Sequence, residues 1–401
     1  MSEIHVCLLS DQLLPNLIPV LMERPFRVYL VATDEMTARG RDARMRRLLR
    51  RENIEVRIRP RAPSTGIDAI RRAALKLARE IKSAEAYRTI ALNATGGTKL
   101  LSMGFVEVFR DQLEGHPLRI IYTDTEHRVI ETLVPREHPA TPMEGVLQVR
   151  SYLAAQGMVL GSAASDDDRW RSTVKARMDV SKYLAIHCEV LGPFLGVVNR
   201  VVHGAGGISG ALTPNGTALD RPEQRLDHRP RGPWQQALTR IADAGLVRWD
   251  GDRELRFDSV DTARYLGGHW LEEYAWLVTE AAGLQDIHCS ATGRWESQSG
   301  PAAPTNEFDL LAVHDNRLLL IECKTGRLDA GEQAIATRLE SLDRNAGGLF
   351  GSSLLVSARE LPATMKSRCR HLGIRFLERG AVKDLADCVS HWRDTGSLPI
   401  S

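Results

Sequence analysis

Two apolar runs separated by a short polar turn form the most constraining pattern in the chain. Residues 306–313 read Asn-Glu-Phe-Asp-Leu-Leu-Ala-Val, and residues 318–325 read Leu-Leu-Leu-Ile-Glu-Cys-Lys-Thr. Each run suits a buried strand, and the His-Asp-Asn-Arg segment between them suits a turn. Alternate residues of a strand point to the same face, so Glu322 and Lys324 share a face that Asp309 on the neighbouring strand can reach.

This combination of two acids and a lysine favours a metal site. Carboxylates are the ligands that hard divalent cations prefer, and a lysine beside them suits a phosphate or an attacking water. We expect Asp309 and Glu322 to hold Mg²⁺ or Mn²⁺, with the backbone carbonyl of Cys323 as a third oxygen ligand. Lys324 is expected to orient or deprotonate the water, or to stabilise developing charge. The alternative is an ordinary hairpin with charged ends.

The first 136 residues or so alternate between strand and helix patterns. Helical patterns cover Thr37–Arg51, Gly66–Ser83 and Thr98–Gln112. The predicted strands are Ile4–Leu9, Phe26–Ala32, Ile54–Ile58, Thr89–Leu92, Leu118–Tyr122 and Val129–Leu133. This alternation predicts an α/β, Rossmann-like domain with a mostly parallel sheet and helices on both faces. Ligands of such sheets bind beyond the carboxyl ends of the strands.

Polar turns follow three of these strands and are expected to meet at one crevice. A glycine pair before a helix lets backbone N–H groups approach an anion, and the helix start favours negative charge. The candidate ligand-binding residues are Ser10, Asp11, Gln12, Thr33, Asn93, Thr95, Gly96, Gly97, Thr98 and Lys99. An ordinary tight turn for the glycines, and helix N-caps for Asp11 and Thr33, are the alternatives.

The middle of the chain has a different composition. A Pro-containing linker, 136–142, leads to Ser165–Asp168, an expected N-cap for a helix over Trp170–Lys182. A helix over 233–245 then precedes a hairpin of 246–249 and 254–257, which is the order of a winged helix. This element is either a DNA contact or a spacer or dimerisation module. A spacer or dimerisation module is favoured, because Arg240 is the only basic residue of the helix.

The last segment supplies the elements around the apolar hairpin. A helix over Trp270–Ala281 precedes it, and a long helical stretch follows it to Asn345. Beyond these we expect the strand Ser353–Ser357, a helix over 363–372, the strand Ile374–Leu377 and a final helix. Gln333, on the helix after the second strand, is a candidate for substrate contact or an ordinary solvated residue.

Composition limits the class of protein. The net charge is only +2 over 401 residues, so any nucleic-acid contact would come from local patches. One helix, 39–51, is crowded with arginines, although a solvated helix face is the commoner reason for such a run. The six cysteines include no Cys-x-x-Cys pair, which indicates reduced thiols. No signal-type start is present, and no apolar stretch approaches the roughly 20 residues of a membrane helix. We therefore expect a cytoplasmic protein.

Both ends of the chain resemble one known family. Ser10–Asn16 and Asn93–Lys99 look like the CARF domain, the CRISPR-associated Rossmann-like sensor of cyclic oligoadenylates. Asp309 with Glu322-Cys323-Lys324 resembles the PD-(D/E)xK core of restriction endonucleases and Holliday-junction resolvases. Together with Gly267–Tyr274 and Asn345–Gly348, it looks like the nuclease half of the CARF-nuclease effectors of type III CRISPR systems. One departure is Phe308, which stands before Asp309 where the name of the core would place proline.

The resemblance implies an arrangement and an activity. It implies a homodimer, a cyclic tetra-adenylate activator bound across the dimer axis, and nonspecific cleavage of DNA, RNA or both. It also favours Glu272 as a further acid aimed at the metal. Glu273 is about 100 degrees away around the same helix, so only one of the two can point inward.

The expected domains are a sensor over 1–144, a winged-helix-like connector over 145–260 and a nuclease domain over 261–401. A ligand-gated DNA-binding regulator with a vestigial nuclease is the competing function, and a stand-alone repair or restriction nuclease is a third. The intact Asp309, Glu322 and Lys324 argue against the regulator, and the ligand-type turns argue against the stand-alone nuclease. The choice between DNA and RNA, the ring size of the activator and its degradation by the sensor stay open.

Overall fold

The chain folds into two compact units. The computed structural model describes residues 3–84, 88–135, 138–204, 209–296, 305–326 and 347–399. The first unit extends to Val159 and includes two short later pieces, at Trp295 and at Gly348–Phe350. The second unit holds most of the remaining chain from Leu160 onward. The domain boundaries expected near 144 and 260 stay predictions.

The first unit is an α/β sheet domain, as the alternating pattern predicts. Its strands are β1 (Ile4–Leu8), β2 (Arg27–Thr33), β3 (Glu55–Ala62), β4 (Ile90–Asn93), β5 (Leu118–Asp124), β6 (Val129–Val134) and β7 (Thr141–Pro142). Its helices are α1 (Leu14–Glu23), α2 (Asp34–Ala38), α3 (Arg41–Arg51), α4 (Ile67–Ala84), α5 (Lys99–Gln112) and α6 (Val149–Gln156).

The sheet has a topological switch point at its centre. Its strand order is β3-β2-β1-β4-β5-β6-β7, and the pairs from β3 to β5 are parallel. The order therefore reverses between β1 and β4, and the turns after these two strands meet at the same edge. Ile4, Val6 and Leu8 of β1 pack in one core with α4 and α5. His5 faces the other side, where its ring bonds to Glu23 of α1.

Two elements of this unit differ from the sequence expectation. The helix expected over Thr37–Arg51 is broken, because Gly40 adopts a φ of 66° that ends α2 and starts α3. Glycine reaches this left-handed region at little cost, so it is the natural site for the break. Helix α1, which was not among the predicted helices, begins at Leu14 with proline in its first turn.

The second unit contains the rest of the secondary structure within the described residues. Its strands are β8 (Met158–Ala163), β9 (Glu223–Arg225), β10 (Arg248–Trp249), β11 (Glu254–Arg256), β12 (Asp286–Trp295), β13 (Asn306–His314), β14 (Arg317–Lys324), β15 (Gly351–Ser357) and β16 (Arg375–Glu378). Its helices are α7 (Asp168–Ala176), α8 (Met178–Ile186), α9 (Cys188–His203), α10 (Pro233–Asp243), α11 (Val260–Arg264), α12 (Trp270–Ala281), α13 (Ala363–Leu372) and α14 (Leu385–Thr395).

The apolar hairpin lies at the centre of a mixed sheet. The strand order is β16-β15-β14-β13-β12-β8. Strands β12, β13 and β14 are antiparallel, whereas β15 and β16 continue the sheet in parallel with β14. The central strands are buried along most of their length, so the hairpin lies within the core of the unit. The helical stretch expected up to Asn345, including Gln333, lies outside the described residues.

The middle segment shares the core of the second unit. Val174, Phe194 and Leu238 belong to the same apolar cluster as Leu310 of β13 and Trp392 of α14. As the winged-helix pattern predicts, α10 precedes a β10–β11 hairpin, to which β9 adds a third strand.

The prediction of a single helix over Trp170–Lys182 is wrong. The chain turns at Arg177, which separates α7 from α8. The buried guanidinium of Arg177 bonds to two carboxylates, an arrangement that a spacing pattern cannot reveal.

All six cysteines are buried and free. Burial raises the pKa of the Cys7 and Cys188 thiols to about 12 and that of Cys388 to about 11. Within the described ranges no single helix meets the length and hydropathy expected of a membrane span, although α8 and α9, bent by 114° at their junction, meet it together.

Candidate functional site

The pairing between β13 and β14 ends next to Asp309, the acid predicted on β13. Their pairing runs from His314 and Arg317 to Leu310 and Ile321 and stops just before Asp309. There the backbone N–H of Cys323 donates to Oδ2 of Asp309 at 2.7 Å, so a side chain takes the place of the next strand partner. Asp309 is thus held against the neighbouring strand at the point where that strand presents its own charged residues.

Lys324 brings the two predicted acids together. Its Nζ lies 2.7 Å from Oε1 of Glu322 and 3.7 Å from Oδ2 of Asp309. The Glu322 side chain is 1% exposed, whereas Lys324 retains 24% exposure. The three residues therefore form one cluster that is buried on the protein side and open at the lysine.

Helix α12 adds a third carboxylate and resolves which of its two adjacent acids faces the cluster. The Ser290 hydroxyl donates to Oε2 of Glu272 at 2.8 Å, and Glu272 interacts electrostatically with Lys324 and Glu322. Glu273 turns away and accepts from Nε of Arg177 at 2.7 Å. The 100-degree step between consecutive helix residues separates the two roles.

The charges of this cluster are unbalanced. Burial raises the pKa of Asp309 to about 7, and the carboxylates of Glu322 and Glu272 add to the rise. Burial likewise raises the pKa of Glu272 to about 7. Burial disfavours the Lys324 ammonium, but Glu322 and Asp309 outweigh it and the lysine pKa is raised. Three carboxylates with one ammonium form a donor set that suits a divalent cation, since a cation would offset the burial and the mutual repulsion that raise the pKa values of Asp309 and Glu272.

Cys323 is a core residue on the opposite face of β14, as the alternation predicts. Burial, followed by the negative charge of Asp309, raises the pKa of its thiol well above the usual value. Such a thiol is not a nucleophile near neutral pH. The role of its backbone carbonyl as a metal ligand stays a prediction.

The turn after β4 is held together by its own polar side chains. Asn93 is fully buried; its Nδ2 donates to the Pro15 carbonyl at 3.1 Å and its Oδ1 accepts from the Thr95 hydroxyl at 2.6 Å. The Thr95 hydroxyl in turn accepts from the backbone N–H of Thr123 at 2.7 Å. These contacts give Asn93 and Thr95 a structural role in shaping the turn.

The glycine pair brings this turn against the end of β1. A Cβ at Gly96 would lie 1.8 Å from the Leu8 carbonyl oxygen, to which Asn16 also donates at 2.8 Å. Gly97 has a φ of 77°, which favours glycine. Close packing at the switch point therefore accounts for Gly96 without any ligand.

Thr98 and Lys99 are the residues of this turn that face solvent. The Thr98 hydroxyl accepts from the backbone N–H of Leu101 at 3.1 Å and caps α5. Both side chains are exposed at the start of that helix. They therefore keep the position expected of ligand contacts, next to the positive end of a helix dipole.

Among the remaining predicted sensor residues, the side chains of Ser10, Asp11 and Thr33 have partners within the unit, whereas the buried Oε1 of Gln12 has no hydrogen-bond partner among the described residues. The Ser10 hydroxyl donates to the Gln12 carbonyl at 3.1 Å. Asp11 pairs with Arg39 and with Arg41 at 3.3 Å, and these arginines lower its pKa against the opposing effect of burial. Thr33 is buried and caps α2 by accepting from the N–H of Met36 at 3.3 Å, which is the N-cap alternative. Asp11 forms ion pairs instead of a cap.

Three supporting residues were not found by sequence reasoning: Arg177, Ser290 and Thr123. They bond to Glu273, Glu272 and Thr95 from other parts of the chain, so no local spacing connects them. For Arg177 the sequence contained one signal, the adjacent pair Glu272 and Glu273. Only one of the two acids can face the cluster, and the other, if buried, requires a cationic partner.

The charge on the exposed face of α10 is relevant to the alternative in which the winged helix contacts DNA. It forms an open groove of about 650 Å³ lined by Gly232, Gln235, Gln236, Thr239, Arg240 and Asp243. The guanidinium of Arg240 lies over the Tyr183 ring at 4.6 Å. With one arginine opposite one aspartate, this groove carries no net positive charge to attract a phosphate backbone.

Comparison with known proteins gives two family matches and several structural ones. Residues 4–152 match the model described as the Card1 CARF domain, and residues 259–395 match the Card1-like endonuclease domain. No curated protein matches the sequence.

Two solved structures resemble nearly the whole chain. Protein VC1899 from Vibrio cholerae has a TM-score of 0.83 at 20% identity and covers 99% of both chains. Can2 from Sulfobacillus thermosulfidooxidans, solved in complex with cyclic tetra-adenylate, has a TM-score of 0.75 at 21% identity and covers 98% of both chains. A type III CRISPR defence DNA nuclease activated by cyclic oligoadenylate has a TM-score of 0.53 at 16% identity, over 90% of this chain and 46% of that one. These likenesses show a shared fold.

Proposed function

We propose that this chain, which joins a CARF domain of the Card1 type to a Card1-like endonuclease domain, is a metal-dependent nuclease activated by a cyclic oligoadenylate in type III CRISPR antiviral defence. The observation that carries this proposal is the meeting of Asp309, Glu322, Lys324 and Glu272 at the end of the apolar hairpin. The substrate class is DNA, RNA or both.

Asp309, Glu322 and Glu272 are the side chains that would hold Mg²⁺ or Mn²⁺, with the Cys323 carbonyl as a further oxygen. The bound cation supplies a Lewis acid for the phosphodiester and lowers the pKa of a bound water. Lys324, which is held by Glu322 and still partly exposed, is placed to orient the attacking water or to stabilise charge on the phosphate. The vestigial-nuclease alternative has no support in this cluster, since every expected group is present.

The activator is proposed to be cyclic tetra-adenylate, the ligand named for the Can2 structure. The exposed Thr98 and Lys99 at the start of α5, with Ser10 and Gln12 after β1, lie at the switch point and are the expected contacts. Asn93, Thr95, Gly96 and Gly97 shape the turn that presents these groups.

A homodimer is the simplest receptor for this activator. A cyclic tetra-adenylate has near-symmetric halves, so a two-fold dimer can supply one half of the crevice from each chain. Two apolar side chains of α5 next to the crevice are left in solvent: Leu100 is 39% exposed and Met103 is 67% exposed. Exposed apolar groups beside a symmetric site favour self-association there.

One experiment tests the function. The purified protein is incubated with labelled single-stranded DNA or RNA, with Mn²⁺, Mg²⁺ or EDTA, and with each cyclic oligoadenylate in turn. We expect cleavage only with both a metal and an activator, and loss of cleavage in Asp309→Ala, Glu322→Ala and Lys324→Ala with activator binding unchanged. Wild-type rates in Glu322→Ala, or activity that EDTA leaves intact, would sink the assignment. Activator-dependent nucleic-acid binding without cleavage would support the regulator instead.

A further inference from the structure

A double-glycine turn connects α11 to the helix that carries Glu272. Tyr265–His269 form one π-type turn, in which Gly268 has a φ of 145°. A Cβ at Gly268 would lie 2.6 Å from the Thr325 hydroxyl. Thr325 directly follows Lys324, so the turn rests against the end of the strand that carries the lysine.

Helix α9 approaches the same turn and directs two donors at one carbonyl. The Asn199 Nδ2 donates to the Gly267 oxygen at 2.5 Å, and Nε2 of His203 lies 3.0 Å from the same oxygen. Residues four apart lie on one helix face, so the two side chains act on the carbonyl together. A Cβ at Gly267 would lie 2.6 Å from Val202 Cγ1. The glycine therefore permits the close approach that makes both hydrogen bonds possible.

We propose that Asn199 and His203 are positioning residues for the nuclease site, an inference that rests on the proposed function. By holding the Gly267 carbonyl they fix the start of α12, and Glu272 lies in the first turn of that helix. The Arg177–Glu273 ion pair fixes the helix one residue further along. Between these two anchors the Glu272 carboxylate is held toward Asp309, Glu322 and Lys324.

The apolar packing of α9 does not require these two side chains. Val198 and Val202 bury the helix against the core, whereas Asn199 is only partly buried and His203 is exposed. Their loss should therefore spare the fold and change the placement of Glu272. A catalytic group displaced by about 1 Å can cost about 100-fold in rate.

The test compares Asn199→Ala, His203→Ala and their double variant with the full-length wild type. We expect kcat for labelled single strands to fall by about 10- to 100-fold in the double variant. The KM for the nucleic acid, the affinity for the activator and the unfolding temperature should stay at wild-type values. His203→Gln should recover most of the rate, because its amide N–H can donate to the same carbonyl. Arg200→Ala is the matched control, since Arg200 lies on the same helix but is exposed and pairs with Asp227 at 3.1 Å.

Amide hydrogen exchange gives a second readout that needs neither metal nor substrate. Faster exchange confined to the first turn of α12 in the double variant would support the positioning role, even if the wild type proved unable to cleave, an outcome that would count against the proposed function alone. Wild-type cleavage together with unchanged exchange would overturn the inference. A raised KM at unchanged kcat would also overturn it, because it would make the two residues substrate contacts.

Discussion

Glu272 and Glu273 are adjacent in sequence but have opposite surroundings. Glu272 bonds to Ser290 and faces the acidic cluster, whereas Glu273 is buried with Arg177. The Glu273 side chain is 4% exposed and that of Arg177 is 5% exposed. In the proposed nuclease, the first acid serves the chemistry and the second serves the structure.

The two acids should therefore respond differently to the same substitution. Glu272→Gln is expected to lower activated cleavage by about 100-fold, by analogy with the loss of other preorganised charges, without loss of stability. Glu273→Gln should destabilise the protein by about 3 kcal/mol, because removing one partner leaves a buried charge poorly compensated. Cleavage assays and urea unfolding of both variants check this. Equal stability losses would contradict the assignment of the two faces.

The acidic cluster should also make the proposed metal binding depend on pH. The pKa values of Asp309 and Glu272 are raised to about 7, so a cation must displace protons in slightly acidic solution. The Mn²⁺ concentration for half-maximal cleavage should rise as the pH falls from about 8 to about 6. A Mn²⁺ requirement that is flat over this range would contradict the prediction.

The same shift has a consequence for the metal-free protein. A carboxyl whose folded pKa exceeds its unfolded value stabilises the fold at low pH, and that stabilisation is lost as the pH rises through the folded pKa. For Asp309 and Glu272 this loss occurs between about pH 4 and about pH 7. In EDTA, the wild type should therefore lose more stability over this range than Glu272→Gln does.

At the scale of elements, the turn after β4 combines close packing with the proposed ligand contacts. Gly96 is required where the turn meets the Leu8 carbonyl, whereas Lys99 is exposed at the start of α5. Gly97 has its own constraint, because its Cβ would lie 2.9 Å from Leu101 Cδ2. Lys99 is therefore a cleaner probe of the ligand than either glycine.

Lys99→Ala should weaken activator binding about tenfold, the loss of one charge-assisted contact of about 1.5 kcal/mol, at unchanged stability. Gly96→Ala should instead cost at least about 1–3 kcal/mol of stability, since the added methyl overlaps a backbone oxygen. Calorimetric titration with cyclic tetra-adenylate and thermal unfolding of the two variants separate these effects. Unaltered activator affinity in Lys99→Ala would remove the lysine from the proposed crevice.

The sequence alone was enough to predict the elements that have a regular pattern of apolar residues. The hairpin of β13 and β14, with its two acids and its lysine, was predicted because alternation fixes which side chains share a face. The breaks at Gly40 and Arg177 were missed for a different reason. Helical periodicity continues through both positions. The first helix ends where Gly40 adopts a left-handed backbone angle, and the second ends at Arg177, which forms an ion pair with the distant Glu273. The contacts of Ser290 and Asn199 were missed because they join segments far apart in the chain.

At the scale of the whole molecule, the symmetry of the proposed activator determines how many ligands should bind per chain. A shared two-fold crevice should bind one cyclic tetra-adenylate per two chains. Met103→Glu should weaken the dimer, because it places a charge on the exposed apolar face of α5. Light scattering and calorimetry measure both quantities. One ligand per chain at saturation, or a monomeric bound state, would exclude the shared crevice.

Activation of the proposed dimer also requires that the ligand bind one arrangement of its two chains better than another. We expect the free and bound dimers to differ in shape, with the two nuclease sites closer together when the activator is bound. Small-angle scattering of both states checks this expectation. Identical profiles would place the switch in local ordering around Glu272 and Lys324 instead.

The burial of every native cysteine would make spectroscopy of such a change in shape simple. Thiol-reactive probes attack thiolates, and Cys7, Cys188, Cys289, Cys323, Cys369 and Cys388 are all buried with raised pKa values. A single cysteine introduced at Ile186, which is 56% exposed, would then be the one position that takes a spin label or a fluorophore. In a homodimer that label occurs twice, so one substitution on an otherwise native background allows the distance between the two labelled chains to be measured.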